Sequence, residues 1–187
     1  QPFIDCAIKL KDSITDINEI EKIIAQVGEG TVHRLWEPLQ EKQNPSSPYG
    51  AKFSVPYCIA VGLIDGQAGL EQFTEARLQD SSLINLASKV TYEINPTDEY
   101  PKNYTGDITI FKKNGTTISA NQSCLRGGKR SPLGVEEIYR KFEANLKFAN
   151  VKSEKIKELR SKIDTIFNMK NLNAVSYTHL RAHETLD

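Results

Sequence analysis

The polar residues most in need of a reason stand at the mouth of an apolar run: AKFSVPY, residues 51–57, places Lys52, Ser54 and Tyr57 just ahead of or inside the stretch Val55 to Leu63. An ammonium, a hydroxyl and a phenol can hold a carboxylate, and the phenol can also pass a proton. The same residues have a purely architectural reading. Ser54 is a helix N-cap, Tyr57 a core aromatic with its hydroxyl satisfied locally, and Lys52 a solvated surface charge.

Other arrangements are excluded by spacing. Cys6, Cys58 and Cys124 stand far apart, with no C-x-x-C pair for zinc or an iron–sulfur cluster, and are read as packed thiols of a reducing compartment. His33 has no serine and acid at triad spacing and is read as a partly buried packing residue. Gly127-Gly128 lacks the strand-then-helix context of a phosphate loop. With 24 basic against 24 acidic side chains, 39% hydrophobic and 26% charged residues, the chain is neither disordered in composition nor a nucleic-acid binder. No apolar run reaches the roughly 20 residues that span a bilayer, and no secretory signal opens the chain, so a soluble, cytoplasmic protein is expected.

The elements that must position these groups follow from periodicity. Residues 3–12 have helical spacing, and Asp16-Ile17-Asn18 forms a turn. Residues 19–27 fit both helix and strand, and periodicity alone favours helix. A short helical or irregular piece runs from Gly30 to Leu39, and residues 44–50 form a loop. Ser54 caps a helix that runs through Leu63 to the stop at Asp65-Gly66, apolar on nearly all sides and so buried at the centre. Short helices cover 69–77 and 80–88, and strand alternation begins at Val90. Asn114-Gly115 joins Asp107–Ala120 into a hairpin with a type I′ turn. Two helices close the pattern, 135–149 and 153–168, the second capped by Ser153 and including Phe167. Strands with helices on one side make an α+β two-layer sandwich with a small, largely antiparallel sheet.

Four segments in order, GTVHRLWEPLQEKQNP (30–45), AKFSVPYCIAVGLIDG (51–66), GLEQFTEARLQD (69–80) and RGGKRSPLGVEEIYRKFEAN (126–145), resemble the C-terminal domain of the MmgE/PrpD family. The resemblance favours a strand over 19–27 and implies a lid-like domain, 1–170, of a larger two-domain enzyme whose helical N-terminal domain is missing. Gln1-Pro2-Phe3, with no initiator, is expected to be a cut, and Met169 is the sole methionine. The run 175–185 resembles a translated sequencing adapter, so 171–187 is expected to be a non-native or disordered tail, and His179 and His183 receive no role despite their i, i+4 spacing.

Members of that family include 2-methylcitrate dehydratase, cis-aconitate decarboxylase and an iminodisuccinate epimerase. The resemblance implies a cofactor-independent lyase on a small di- or tricarboxylate, dehydratase-like first, homodimeric at full length, with no metal and most of its bases in the larger domain. Tyr57 is the implied catalytic residue, with its phenol directed at the interdomain cleft, and Lys52 and Ser54 the implied substrate contacts. A non-catalytic small-molecule-binding or interaction domain is the alternative.

Overall fold

The computed structural model describes residues 1–166, which fall into two compact units divided between Glu137 and Ile138. The expected tail from residue 171, with His179 and His183, and Met169 and Phe167 lie outside the described residues.

The first unit is built in chain order from α1 (Pro2–Leu10), β1 (Ile20–Val27), α2 (Glu29–Leu35), α3 (Leu39–Gln43), α4 (Pro48–Ala51), α5 (Val55–Asp65), α6 (Glu75–Leu78), α7 (Ser81–Ala87), β2 (Val90–Ile94), β3 (Gly106–Lys112) and β4 (Thr117–Gln122). The four strands make one sheet in the order β2-β1-β3-β4; β1 runs parallel to β2 and antiparallel to β3, and β3 antiparallel to β4. The α+β class and the largely antiparallel sheet are as expected.

Residues 20–27 are a strand whose pattern mimics a helix for a local reason. Ile20 and Ile23 are both fully buried, three residues apart, because the pairing with β3 shifts register between Ile20 and Lys22. The extra residue resets the alternation, which then continues through buried Ala25 and Val27.

The hairpin forms, but through a different turn. Lys112 and Gly115 close a tight turn (Gly115 N to Lys112 O, 2.9 Å), and Lys112 N donates to Thr116 O at 2.9 Å. Gly115 sits at φ +83°, while Asn150 is the one non-glycine with positive φ among the described residues, so Asn114 is not left-handed. A type I′ turn needs positive φ at both central residues; a tight turn followed by a left-handed glycine is the bulged three-residue alternative.

At the centre lies α5. Every residue from Val55 to Leu63 is buried, as its all-round apolarity requires, and Gly66 ends the helix at φ +69°. Helix α1 packs closely on it: a Cβ at Gly62 would lie 2.6 Å from Ala7 Cβ and 3.1 Å from Ile4 O. Trp36 is wholly buried between Phe3 (ring centroids 5.5 Å) and Tyr92 (5.3 Å). Around α5 some expected outlines sharpen. Pro48 to Ala51, inside and just past the expected loop, forms a single helical turn capped by Ser47, and 69–88 holds a 3-10 turn at Leu70–Gln72 before α6 and α7.

The second unit takes up most of α8 (Val135–Phe148) and α9 (Ser153–Thr165). Ser153 is the first helical residue rather than the cap; Lys152 holds the cap position with no side-chain bond. Asn150, at φ 57°, turns the chain between the helices. Arg160 stacks over Tyr139 at 4.1 Å and pairs with Glu143 at 3.1 Å, and Tyr139 donates its hydroxyl to Asp164. Among the described residues no helix is long and apolar enough to cross a membrane.

Candidate functional site

The mouth of α5 is laced by one lysine. Lys42 Nζ donates to the carbonyls of Arg34 (2.8 Å) and Phe53 (3.0 Å), and its own carbonyl accepts the Ser54 hydroxyl. Ser54 Oγ in turn accepts from Tyr57 N at 3.0 Å, one of the orphan amides of the first helical turn. The hydroxyl expected to contact substrate is therefore used in both directions within the fold, and Ser54 is 1% exposed.

Tyr57 is wholly buried. Its hydroxyl donates to Gln72 O at 2.9 Å and its ring packs on Phe73 at 5.8 Å. The phenol expected to face a cleft is instead enclosed, because a helix covered on every side buries whatever stands one turn inside it. Burial pushes the phenol up to about 12, still further from ionisation than a free tyrosine.

Lys52 is exposed, on the C-cap of α4. Next to it Phe53 carries the Arg34 guanidinium at 5.1 Å and the ring of Tyr49 at 5.1 Å, and Tyr49 is 72% exposed. His33, expected to be partly buried, is exposed beside Arg34 on α2. The structure thus separates the three sequence candidates: Ser54 and Tyr57 turn inward, and Lys52 stays exposed, next in the chain to the Phe53 ring on which Arg34 and Tyr49 pack. Arg34 and Tyr49 escaped sequence reasoning, since their shared partner Phe53 is visible only in the fold.

A second charged arrangement was equally hidden. Asp5 on α1 is buried, and its Oδ1 accepts from Arg126 Nε at 3.0 Å, across 121 residues of chain. Arg126 also pairs with Glu137 at 3.2 Å and its carbonyl accepts from the Gln1 side chain at 3.0 Å. Asp5 Oδ2 is buried with no hydrogen-bond partner among the described residues. Cys6 and Cys58 are buried, and burial pushes each thiol up to about 12; Cys124 is half-buried. No group of three or more His, Cys, Asp or Glu suited to a metal occurs among the described residues.

Residues 1–165 match the model of the MmgE/PrpD C-terminal domain. Among curated proteins, the chain is 31% identical over 103 residues to the cis-aconitate decarboxylase of Mus musculus and 29% identical over 102 residues to that of Homo sapiens. Each alignment covers 54% of this chain and 21% of the relative, so the chain matches about a fifth of the length of either enzyme.

Proposed function

Because the chain belongs to the MmgE/PrpD family through that family's C-terminal domain, we propose that it is the lid-like part of a cofactor-independent lyase acting on a small di- or tricarboxylate. The helical domain that completes the cleft supplies the main acid–base groups, and the full-length enzyme is a homodimer. Supporting this reading are the exposed cations near the mouth of α5: Arg34 on the Phe53 ring and Lys52, the residue before Phe53. Such cations suit a substrate with several carboxylates.

In this reading Lys52 binds one substrate carboxylate, and Ser54 and Tyr57 hold the mouth of α5 in shape beneath it. Tyr57 contacts substrate only if its hydroxyl leaves the Gln72 carbonyl. The lyase step removes a carbon-bound proton and expels a neighbouring hydroxyl as water, with charge developing on the adjacent carboxylate. A second reading is favoured by the names of both relatives: a carboxylate of cis-aconitate leaves as carbon dioxide, and the electron pair of the broken C–C bond takes up a proton.

The test joins this chain to a helical N-terminal domain of the family in one polypeptide and follows 2-methylcitrate, citrate and cis-aconitate by chromatography of the acids. The joined protein is expected to turn over at least one of them, the isolated chain none. Lys52→Ala should raise KM about 10-fold or more, the loss of a charge-assisted contact. A folded joined protein inert towards all three acids, or turnover by the isolated chain, refutes the reading.

A further inference from the structure

We propose that the basin between residues 98–103 and 124–130 binds a small anion carrying more than one negative charge, as carboxylate or phosphate groups. The site shares no residue with the mouth of α5 and goes beyond the activity proposed above. Its cavity measures about 740 Å³, within the range that encloses small ligands, and is lined by Asp98, Glu99, Lys102, Asn103, Lys129 and Arg130 among others. A second cavity of about 290 Å³ shares Asp98, Glu99 and Arg130 with it and adds amide and hydroxyl groups from Gln26, Asn95 and Thr105.

Which groups are free to meet a ligand is decided by those already engaged. Asp98 accepts from Tyr100 N at 2.8 Å through one oxygen and from Thr105 Oγ at 2.6 Å through the other. Glu99 accepts from Asn103 Nδ2 at 2.6 Å and pairs with Arg130 at 3.4 Å. In the smaller cavity Asp107 accepts from Asn121 at 3.2 Å. Both oxygens of Asp98 and Oε2 of Glu99 are thus engaged, but the carboxylates keep their charges, so Lys102, Lys129 and Arg130 outnumber them in the basin by one. Among the described residues, neither a hydrogen bond nor an ion pair engages the ammonium groups of Lys102 and Lys129, and both side chains are exposed. The unused donors are two ammonium groups and the cations of the lining outnumber its carboxylates, so the complementary ligand is an anion.

The walls are also fixed in place. A Cβ at Gly28 would fall 2.4 Å from Asp98 Oδ1, and one at Gly30 would fall 2.6 Å from the Tyr100 ring, so two glycines let the loop press onto the turn after β1. Asn103 ties it to the opposite wall by donating to Ser123 O at 2.8 Å. Across the basin Gly127, at φ +88°, donates to Ser131 O at 2.6 Å and Gly128 bridges to Ser131. Preset walls lose little freedom when a ligand enters.

Binding to the whole 187-residue chain is measured by amide chemical-shift titration with citrate, inorganic pyrophosphate and, as a singly charged control, acetate, at constant ionic strength. Citrate or pyrophosphate is expected to saturate in the range of about 0.1–5 mM, shifting Asn103, Gly127 and Gly128, while acetate does not. The stronger of the two assigns the source, carboxylate or phosphate. Lys102→Ala with Lys129→Ala should weaken binding about 25-fold, from about fivefold per exposed charge, without changing the melting temperature. Lys102→Gln with Lys129→Gln, which keeps the side-chain stems, should do the same. The proposal fails if neither multivalent anion saturates below about 20 mM, if acetate binds equally well, or if both double variants bind as the parent does. A positive result with an inactive joined protein would keep this site and discard only the lyase.

Discussion

Replacing Tyr57 by phenylalanine separates an architectural hydroxyl from a chemical one. The change keeps the ring on Phe73 and removes only the group that donates to Gln72 O at 2.9 Å. Donor and acceptor are both buried, Tyr57 wholly and Gln72 at 6% exposure, so the carbonyl is left without a partner in an apolar setting. That costs about 1–3 kcal/mol. For a domain of this size the melting temperature should fall by roughly 3–10 °C. The assay pairs a thermal midpoint with kcat/KM of the joined two-domain protein. With the hydroxyl confined to Gln72, folded Tyr57→Phe should keep kcat/KM within about twofold of the parent. A hydroxyl that instead met a substrate carboxylate would cost about 10- to 150-fold, and one that passed a proton about 10²–10⁴-fold, mainly in kcat. An unchanged midpoint together with a large loss in kcat would refute the reasoning, because the bond to Gln72 would then contribute nothing and the phenol would be working elsewhere.

Three further outcomes follow from the packing. Cys6 and Cys58 have folded pKa values near 12 against 9.0 for a free thiol, so the folded state prefers them protonated; their contribution is whole below about pH 9 and is lost as pH rises towards 12. Unfolding free energies from denaturant curves should fall over that window by up to about 1.4 kcal/mol per pH unit for each thiol, and a native-state thiol titration at pH 8 should find Cys124 alone reactive. Gly62→Ala sets its new methyl 2.6 Å from Ala7 Cβ and should cost about 1–3 kcal/mol, partly restored by Ala7→Gly in the double variant; additive losses would mean that α1 does not rest on α5 there. Ile59→Ala empties a wholly buried position at the centre of α5 and should cost about 2–5 kcal/mol in a chemical denaturation curve, whereas a neutral result would take α5 out of the core.

Where sequence reading succeeded, one local rule decided the outcome. The cap at Ser54, the all-round apolarity of Val55 to Leu63 and the stop at Gly66 are each set by residues within a turn or two of one another, and α5 follows from them without reference to the rest of the chain. Where it failed, a through-space event had altered a local pattern. The register shift between Ile20 and Lys22 spaced two buried isoleucines as a helix would space them, and only pairing with β3 reveals the extra residue. The Asn114-Gly115 dipeptide permits two turns, and the choice between them is made by the register that joins Lys112 to Thr116. Ser153 is a good cap by type, but Lys152 already holds the extended backbone that the cap position requires.

The site residues divide along the same line. Residue type identified Lys52, Ser54 and Tyr57 as a group because polar side chains at the mouth of an apolar helix are conspicuous, yet type carries no direction. Direction is set by neighbours distant in sequence: Lys42 takes the Ser54 hydroxyl from twelve residues away and Gln72 takes the Tyr57 phenol from fifteen. The same holds with greater force for the basin, whose cations come from KNY (102–104) and GGKR (127–130), two short runs unremarkable for charge in a chain with none to spare in either sense. Lys102 and Lys129 come to line one cavity because β3 and β4 bring the ends of two loops together and Asn103 ties them. Asp98 and Glu99 keep their charges there, and the three cations Lys102, Lys129 and Arg130 outnumber them by one. Bonds to Asn103, Thr105 and the Tyr100 amide turn the carboxylates to the loop's own donors while Lys102 and Lys129 stay unpaired, a placement made by the fold rather than by composition.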